Sequence, residues 1–525
     1  MPLARSLSVL ALAVSTSFSA NLLAKTPDNT LVVAQSLDDV TSLDPAQGFE
    51  LTSVQSFTNL YQRLVQSNPQ NPTELMPTLA TTWTTSAHSI DMNLRDNANF
   101  ASGNPLTADD VIFSLARVVK LNLAPSFILT QLGWTPDNVD QHLIKTGDHS
   151  LRITWDADVG PSFVLSLLSA PAASIVDKKT VLTHEKDGDL GHQWLNTHSA
   201  GSGPFKIRKY VPHQALLMEA NASSPAGAPK SQYLLLKNVP DAATRQLLLE
   251  QGDADIIRNL GSDQFLSLQG KDGVKTLALP YASLYYLMFN ADNRDNPDLG
   301  KPEFWQAARW AFDYQGIAED LMHGQFQVQQ SFLPQGFKGA LTDQPYQYDP
   351  QKAREILANA GIKNPHFTLA VSNQPPYLDI AQALQASFAK AGIDVELIPG
   401  VSSQIATDVK SHQYQATVTA WGPDYFDPNT NASAFAYNPE NGSKTLAWRA
   451  NWHIPAISKA TLAARAETDD VKRTEMYESI QKEVRAQSPF VVGLQNKKLV
   501  ALRDNIQGYV QGITPDMVYY QNVSK

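Results

Sequence analysis

The sequence predicts a mixed α/β fold, on two observations. Helix- and strand-patterned segments alternate through its second half, and its composition is that of an ordinary folded chain, with 43% hydrophobic and 18% charged residues. Asp349-Pro350 supplies a cap and a first-turn proline. Ala353, Ile356, Leu357 and Ala360 follow at helical spacing, and Gly361 stops the helix. Phe367 to Val371 reads as a strand. A second helix runs from about Asp379 to Ala391, with Ile380, Leu384 and Phe388 on one face and Gly392 as its stop. Ile393 to Ile398 is the next strand, Ser402 to Lys410 a short helix, and Gln415 to Trp421 a third strand.

This βαβαβ unit implies a largely parallel sheet covered by helices. In such sheets ligands bind outside the carboxyl ends of the strands, where this chain places Trp421-Gly422-Pro423-Asp424. The first half is less regular. Thr30 to Gln35 is a strand, Leu79 to Arg95 holds short alternating segments, and Ala108 to Val119 is a helix opened by Thr107. With 525 residues, the chain has room for about three or four domains.

A net charge of −10 disfavours nucleic-acid binding, which needs clustered Lys and Arg against phosphates. At the N-terminus, Arg5 precedes an apolar run from Ser6 to Ala24 with no charge before Lys25. That pattern reads as a secretory signal peptide, with cleavage after Ser19 or Ala24. No cysteine follows it, so a lipoprotein anchor is not expected. The next most apolar stretch, Pro161 to Val176, is interrupted by Pro171 and too short to span a bilayer. The expected mature protein is exported, free of the membrane and monomeric.

Signatures of catalysis are missing. His184-Glu185 begins a zinc-protease motif, but Gly188 stands where the second histidine is required. Gly201-Ser202-Gly203 lacks the third glycine of a dinucleotide fingerprint and reads as a turn. No G-x-S-x-G elbow occurs, and without cysteine there is no thiolate nucleophile. No cofactor, metal or enzyme activity is expected. The aromatic residues suit binding instead: Tyr286, Tyr377, Trp421 and Tyr425 lie at strand ends or loops, where each is either a core residue or a ligand contact. Asp424 is likewise either a turn former, with Asp427-Pro428 close behind, or an anchor for a cationic group.

Several further segments carry a resemblance. Leu43-Asp44-Pro45, Leu79-Ala80 with Trp83, Leu94-Arg95, Phe100, Gly103 and Leu106 to Val111 occur in order. Gly201-Ser202-Gly203-Pro204-Phe205, Phe289-Asn290, Tyr348-Asp349-Pro350 with Lys352-Ala353, and Asn505 to Tyr509 follow. Together they resemble the large periplasmic solute-binding proteins of peptide, nickel and opine importers. The resemblance implies a bilobed periplasmic binding protein of type II, in its large three-domain form with a hinge between the lobes. The expected divisions are a signal peptide over 1–24 and a first lobe over 28–70, 198–283 and 497–525. An extra domain over 71–197 is inserted in that lobe, and the second lobe covers 284–496.

It also implies a small polar ligand, most readily a short peptide, delivered to the permease subunits of an ABC importer. An opine, oligosaccharide or metal chelate, or presentation to a membrane sensor, are the alternatives. An aspartate in a Trp-x-x-Asp loop pairs with the peptide amino terminus in such proteins, matching Trp421 and Asp424. Backbone near Ser36 and Gly422 is expected to bind an extended main chain as an added strand would, and Tyr286, Gln374 and Tyr377 are placed near the site by position. The chain departs from the family where dipeptide binders hold the ligand carboxylate with an arginine. Here the stretch is Gln374-Pro375-Pro376-Tyr377, and Arg449 is the candidate replacement.

Overall fold

The computed structural model describes residues 26–440 and 445–525, so the signal peptide read over 1–24 lies outside the described residues. One mixed sheet of 11 strands runs through the molecule. At one end lie Phe205–Val211, Ala215–Ala220, Tyr233–Asn238, Thr30–Gln35 and Ile256–Ile257; at the other lie Ala416–Trp421, His366–Ser372 and Asp394–Gly400. Between them run two long antiparallel strands, Val274–Phe289 and Phe490–Arg503.

The alternating segments of the second half fold as expected. His366–Ser372 pairs in parallel with both Asp394–Gly400 and Ala416–Trp421, and the helix Tyr377–Lys390 joins the first two of these strands. The parallel arrangement stops there, because Ala416–Trp421 is antiparallel to the long strand beside it. Strand Thr30–Gln35 shows how the other end is built. Leu31 and Val33 enter one apolar cluster and Val32 and Ala34 another, so the strand is buried on both faces as a central strand must be.

The long strands change partners midway. Val274 to Pro280 pair with Arg503 to Lys497, the register then slips, and Leu284 to Met288 pair with Gln495 to Phe490. Pro280 has no N–H to give the ladder. Across the gap the Gln495 side chain donates to the carbonyls of Tyr281 (3.0 Å) and Gln335 (3.2 Å). A buried side chain therefore bridges the break, which leaves a two-stranded connection between the two ends of the sheet as the natural place to bend.

A separate four-stranded sheet, ordered Ala80–Ser86, Ser89–Leu94, Ser150–Thr154 and Leu143–Gly147, packs with the helix Ala108–Leu121 around its own core. Thr107 opens that helix in a capping box, its backbone N–H donating to Asp110 Oδ2 at 2.9 Å. Val111, Leu115, Val118 and Val119 form its buried stripe. The turn Gly201-Ser202-Gly203 presses on the Leu60–Tyr61 backbone so closely that a Cβ on Gly203 would come within 2.5 Å of the Leu60 carbonyl carbon. Those glycines serve close packing, as a turn would.

This unit is held to the sheet by a buried bidentate pair. Arg117 Nη1 and Nη2 lie 2.7 and 2.6 Å from the carboxylate oxygens of Asp44, which are also met by His192 Nδ1 at 2.8 Å and the Ala46 N–H at 2.9 Å. Burial alone would raise the Asp44 carboxyl. The hydrogen bonds from Arg117 and His192 outweigh it and hold the group below the ordinary carboxylate value. Its contribution is therefore present above about pH 4 and lost as pH falls through the lowered value. Asp44→Asn, which strands Arg117 as a buried unpaired cation, is expected to cost about 3–5 kcal/mol in chemical denaturation at pH 7. A loss below about 1 kcal/mol would show that the pair is not what holds the unit in place.

Candidate functional site

The strand Ala416–Trp421 ends beside Leu284, at the slip in the long strands. The loop that follows is fixed from below. The Asp424 N–H donates to Thr430 Oγ1 at 3.0 Å. Asp427 caps the helix Pro428–Phe435 by accepting from the Asn429 N–H at 2.8 Å, and its two oxygens take Arg473 Nη1 and Nη2 at 2.8 Å each. Both partners are buried. Trp421 to Asp424 are thus a short rigid span whose side chains are free to face outward from the strand end.

They face a cavity of about 270 Å³. Trp421, Gly422, Pro423 and Asp424 make one wall. Phe49, Leu51 and Val54 make the second, Pro125, Ile128, Pro171 and Ala172 the third, and Pro515 and Asp516 close it. Of its two carboxylates, Asp516 is neutralised by Arg63 at 2.7 Å. Asp424 has no ion-pair partner among the described residues, and its carboxyl oxygens accept no hydrogen bond there. Burial pushes that carboxyl up to about 7, with no opposing charge. The arrangement can receive a cation: a partly open cavity, apolar on most sides, with one half-buried carboxylate that lacks a counter-charge among the described residues.

Gly422 adds a second feature. Its N–H and carbonyl make no hydrogen bond within the described chain, and a Cβ there would meet only the Ala282 carbonyl oxygen at 3.7 Å. Free main-chain groups beside a strand end can take an extended ligand backbone.

A second cavity, of about 160 Å³, lies on the other side of Trp421 and is lined by Tyr286, Tyr377 and Arg449 among others. The two share Ala420 and Trp421, and together they reach the few-hundred-Å³ range of small-molecule sites. Tyr286 is 2% exposed, with burial raising its hydroxyl well above the ordinary value.

Six of the nine residues singled out from the sequence therefore line these cavities: Asp424, Trp421, Gly422, Tyr286, Tyr377 and Arg449. The other three line neither. Tyr425 is buried against the inserted unit, its ring edge-on to Phe163 at 5.9 Å. Its hydroxyl donates to Gln131 Oε1 at 3.3 Å and accepts from Asn429 Nδ2 at 3.1 Å. Gln374 is exposed and turns its amide to Asn373 Oδ1. Ser36 accepts from the Asp38 N–H through Oγ at 3.3 Å. The walls from Phe49 to Val54 and from Pro125 to Ala172 were missed. Their signal is exposed apolar surface, such as Phe49 at 37% and Leu51 at 48%, and it exists only once the chain is folded.

Comparison with known proteins accords with this geometry. Residues 74–443 match the family model of bacterial extracellular solute-binding proteins, family 5. The chain is 28% identical over 509 residues to a probable D,D-dipeptide-binding periplasmic protein of Escherichia coli, covering 96% of this chain and 95% of that protein. Among solved structures, it superposes with a TM-score of 0.77 and 21% identity on the periplasmic binding protein DppA of Helicobacter pylori in complex with the peptide STSA. That match covers 94% of this chain and 98% of the other. It also superposes with a TM-score of 0.78 and 20% identity on NikZ of Campylobacter jejuni in complex with Ni(L-His), covering 95% and 100%. These likenesses show a bilobed type II binding-protein fold. The chain belongs to the bacterial extracellular solute-binding proteins of family 5.

Proposed function

We propose that this chain is the periplasmic binding component of an ABC importer, capturing a short peptide by its amino terminus and delivering it to the permease. The observation that carries the reading is the carboxylate of Asp424, without a partner among the described residues, facing a cavity apolar on most sides. An α-ammonium supplies the missing charge, Trp421 covers the first residue, and Gly422 offers its free main-chain groups to the peptide backbone. The chemistry of this reading is capture without turnover; among the described residues no serine, threonine, histidine or lysine lines the cavity beside Asp424. Export by the N-terminal leader and action as a monomer belong to the same reading. The relative from Escherichia coli, a probable D,D-dipeptide-binding periplasmic protein, supports the peptide class. Among the described residues, no group of three or more His, Asp or Glu is placed to hold a bare metal ion, so a metal would have to arrive as a chelate.

Binding should carry the mark of Asp424. Asp424→Asn is expected to weaken a dipeptide with a free amino terminus by about 2–5 kcal/mol in isothermal titration, and N-acetylation of the ligand should do the same to the wild type. Unchanged affinity in both cases would remove the anchor and favour a chelate, opine or sugar ligand. Because the ligand needs the ionised carboxyl, affinity should fall about tenfold per pH unit below about pH 6, and this slope should vanish in Asp424→Asn.

The same group leaves a mark on the empty protein. A carboxyl raised to about 7 in the folded state costs nothing below its unfolded value near 4, destabilises progressively between about pH 4 and 7, and reaches its full cost above 7. Empty Asp424→Asn should therefore melt higher than the wild type at pH 8 and nearly equally at pH 4. Equal melting at both would mean that water solvates the carboxyl as bulk solvent does.

Tyr425 should act without touching ligand, since its hydroxyl joins Gln131 of the inserted unit to Asn429 of the second lobe. Tyr425→Phe is expected to speed ligand release severalfold in stopped-flow measurements, the scale of one net hydrogen bond, with little change in association rate. An unaltered release rate would show that this contact does not hold the lobes together.

A further inference from the structure

The cavity at Asp424 differs in character from the space next to it. Apart from Asp424 and Asp516, the side chains that line it are aliphatic, aromatic or absent, Phe49, Leu51, Val54 and Ile128 among them. Beyond Pro171 and Asp516 lies a neck of about 10 Å³, room for about one water molecule, with Ser67 and Phe426 on its wall. Those two residues also line a third cavity, of about 280 Å³, and this one is polar. It carries the hydroxyls of Thr73, Ser162 and Ser166 and the ion pairs of Lys338 with Asp470 at 2.9 Å and Arg473 with Asp427 at 2.8 Å. An apolar cavity and a polar one of nearly equal size are thus separated by a narrow neck.

Arg63 lines the neck but not the cavity at Asp424. It is buried, and its Nη1 lies 2.7 Å from Asp516 Oδ2. The pair is braced on both sides. Arg63 Nη1 also donates to the Ser169 carbonyl at 2.6 Å, and Nη2 to Thr58 Oγ1 at 3.1 Å. Thr514 Oγ1 donates to Asp516 Oδ1 at 2.8 Å, and Thr58 Oγ1 to the Asp516 carbonyl at 2.7 Å. Desolvation consumes most of what such a pair contributes to stability. What it achieves here is to cancel, from outside the cavity, the one carboxylate besides Asp424 that faces a ligand. An apolar group entering such a space displaces loosely held water, whereas a polar side chain loses its hydration with nothing in return.

We propose that the cavity at Asp424 selects the side chain beside the bound ammonium, admitting an aliphatic or aromatic one and rejecting polar and cationic ones, and that Arg63 is the specificity residue that keeps it so by neutralising Asp516. The proposal deepens the peptide reading above and rests on it: the favoured ligands are peptides with an apolar first residue.

Leu-Gly, Asn-Gly and Lys-Gly share both termini and differ only in that side chain, Asn being close to Leu in shape. In calorimetric titration of the wild type, Leu-Gly should bind at least about tenfold more tightly than either of the others. Arg63→Gln keeps an amide donor for the Ser169 carbonyl and releases Asp516 from its counter-charge. In that variant Lys-Gly should gain at least about tenfold relative to Leu-Gly while Asn-Gly does not, and adding Asp516→Asn should abolish the gain. A loss of packing alone would not separate Lys-Gly from Asn-Gly. Equal binding of Leu-Gly and Asn-Gly by the wild type, or no gain for Lys-Gly in Arg63→Gln, overturns the proposal. If Arg63→Gln does not fold, Asp516→Asn alone gives the converse test. It leaves Arg63 uncancelled, so Asp-Gly should gain severalfold relative to Leu-Gly, and no gain overturns the role of Arg63. If none of these dipeptides binds the wild type, the peptide reading fails separately, and pentylamine and its ω-hydroxy analogue become the probes. A larger melting shift by pentylamine supports the apolar cavity, and an equal or absent response overturns it.

Discussion

Two strands, Val274–Phe289 and Phe490–Arg503, are paired with each other along most of their length and belong to both ends of the sheet. Every other sheet strand takes its place by reference to them. Ile256–Ile257 pairs on one side with the second of these, and Ala416–Trp421 on the other side with the first. The slip between Pro280 and Leu284 divides the pair into two ladders, and the Gln495 side chain satisfies the main chain between them. A break of this kind keeps buried polar groups partnered while letting the ladders turn relative to each other, which is what a hinge requires. The ligand loop begins at the same level of the sheet, because Trp421 is opposite Leu284. The proposed site and this break are therefore neighbours in the sheet, so a ligand bound as proposed at Trp421 would be placed to bias any bending there.

The charged groups divide by whether they have a partner. Asp44 with Arg117, and Asp427 with Arg473, are buried, bidentate and complete. Such pairs hold geometry more than they add stability, since desolvation consumes most of the attraction. What they hold is informative: the first docks the four-stranded unit against the large sheet, and the second pins the base of the loop Trp421 to Asp424. Asp424 and Arg449 are the opposite case, half-buried and lacking partners among the described residues. A folded chain tolerates that cost where something else supplies the counter-charge, so the incomplete groups mark the site more sharply than cavity shape does.

Much of the fold was legible in the residues, and what escaped did so for physical reasons. The segments from Asp349 to Trp421 announced themselves because each obeys a single period and is bounded by proline or glycine. Thr30–Gln35 was readable for a related reason, an unbroken apolar run that suits burial on both faces. The long strand Val274–Phe289 was not readable. Its first half is half-buried to exposed and its second half almost wholly buried, and Pro280 sits between them, so no one pattern covers it. The loop at Trp421 to Asp424 could be located from the strand before it. The anchoring of Tyr425 could not, because Gln131 lies 294 positions away in sequence. Arg449 was visible as a charge, but its lack of a partner is a property of the folded chain alone.

The order in which the first lobe is assembled has a consequence for how the chain comes to be folded. Thr30–Gln35 is sandwiched in parallel between Tyr233–Asn238 and Ile256–Ile257, and the latter needs Phe490–Arg503 on its other edge. The first strand to leave a ribosome or a translocation channel is thus among the last to be enclosed. Contacts of such long sequence separation form slowly, since the loop must close before they reward it. A nascent chain of this topology remains threadable until nearly its last residues have emerged. That delay suits the exported role proposed above, in which the chain takes up its structure only after crossing a membrane.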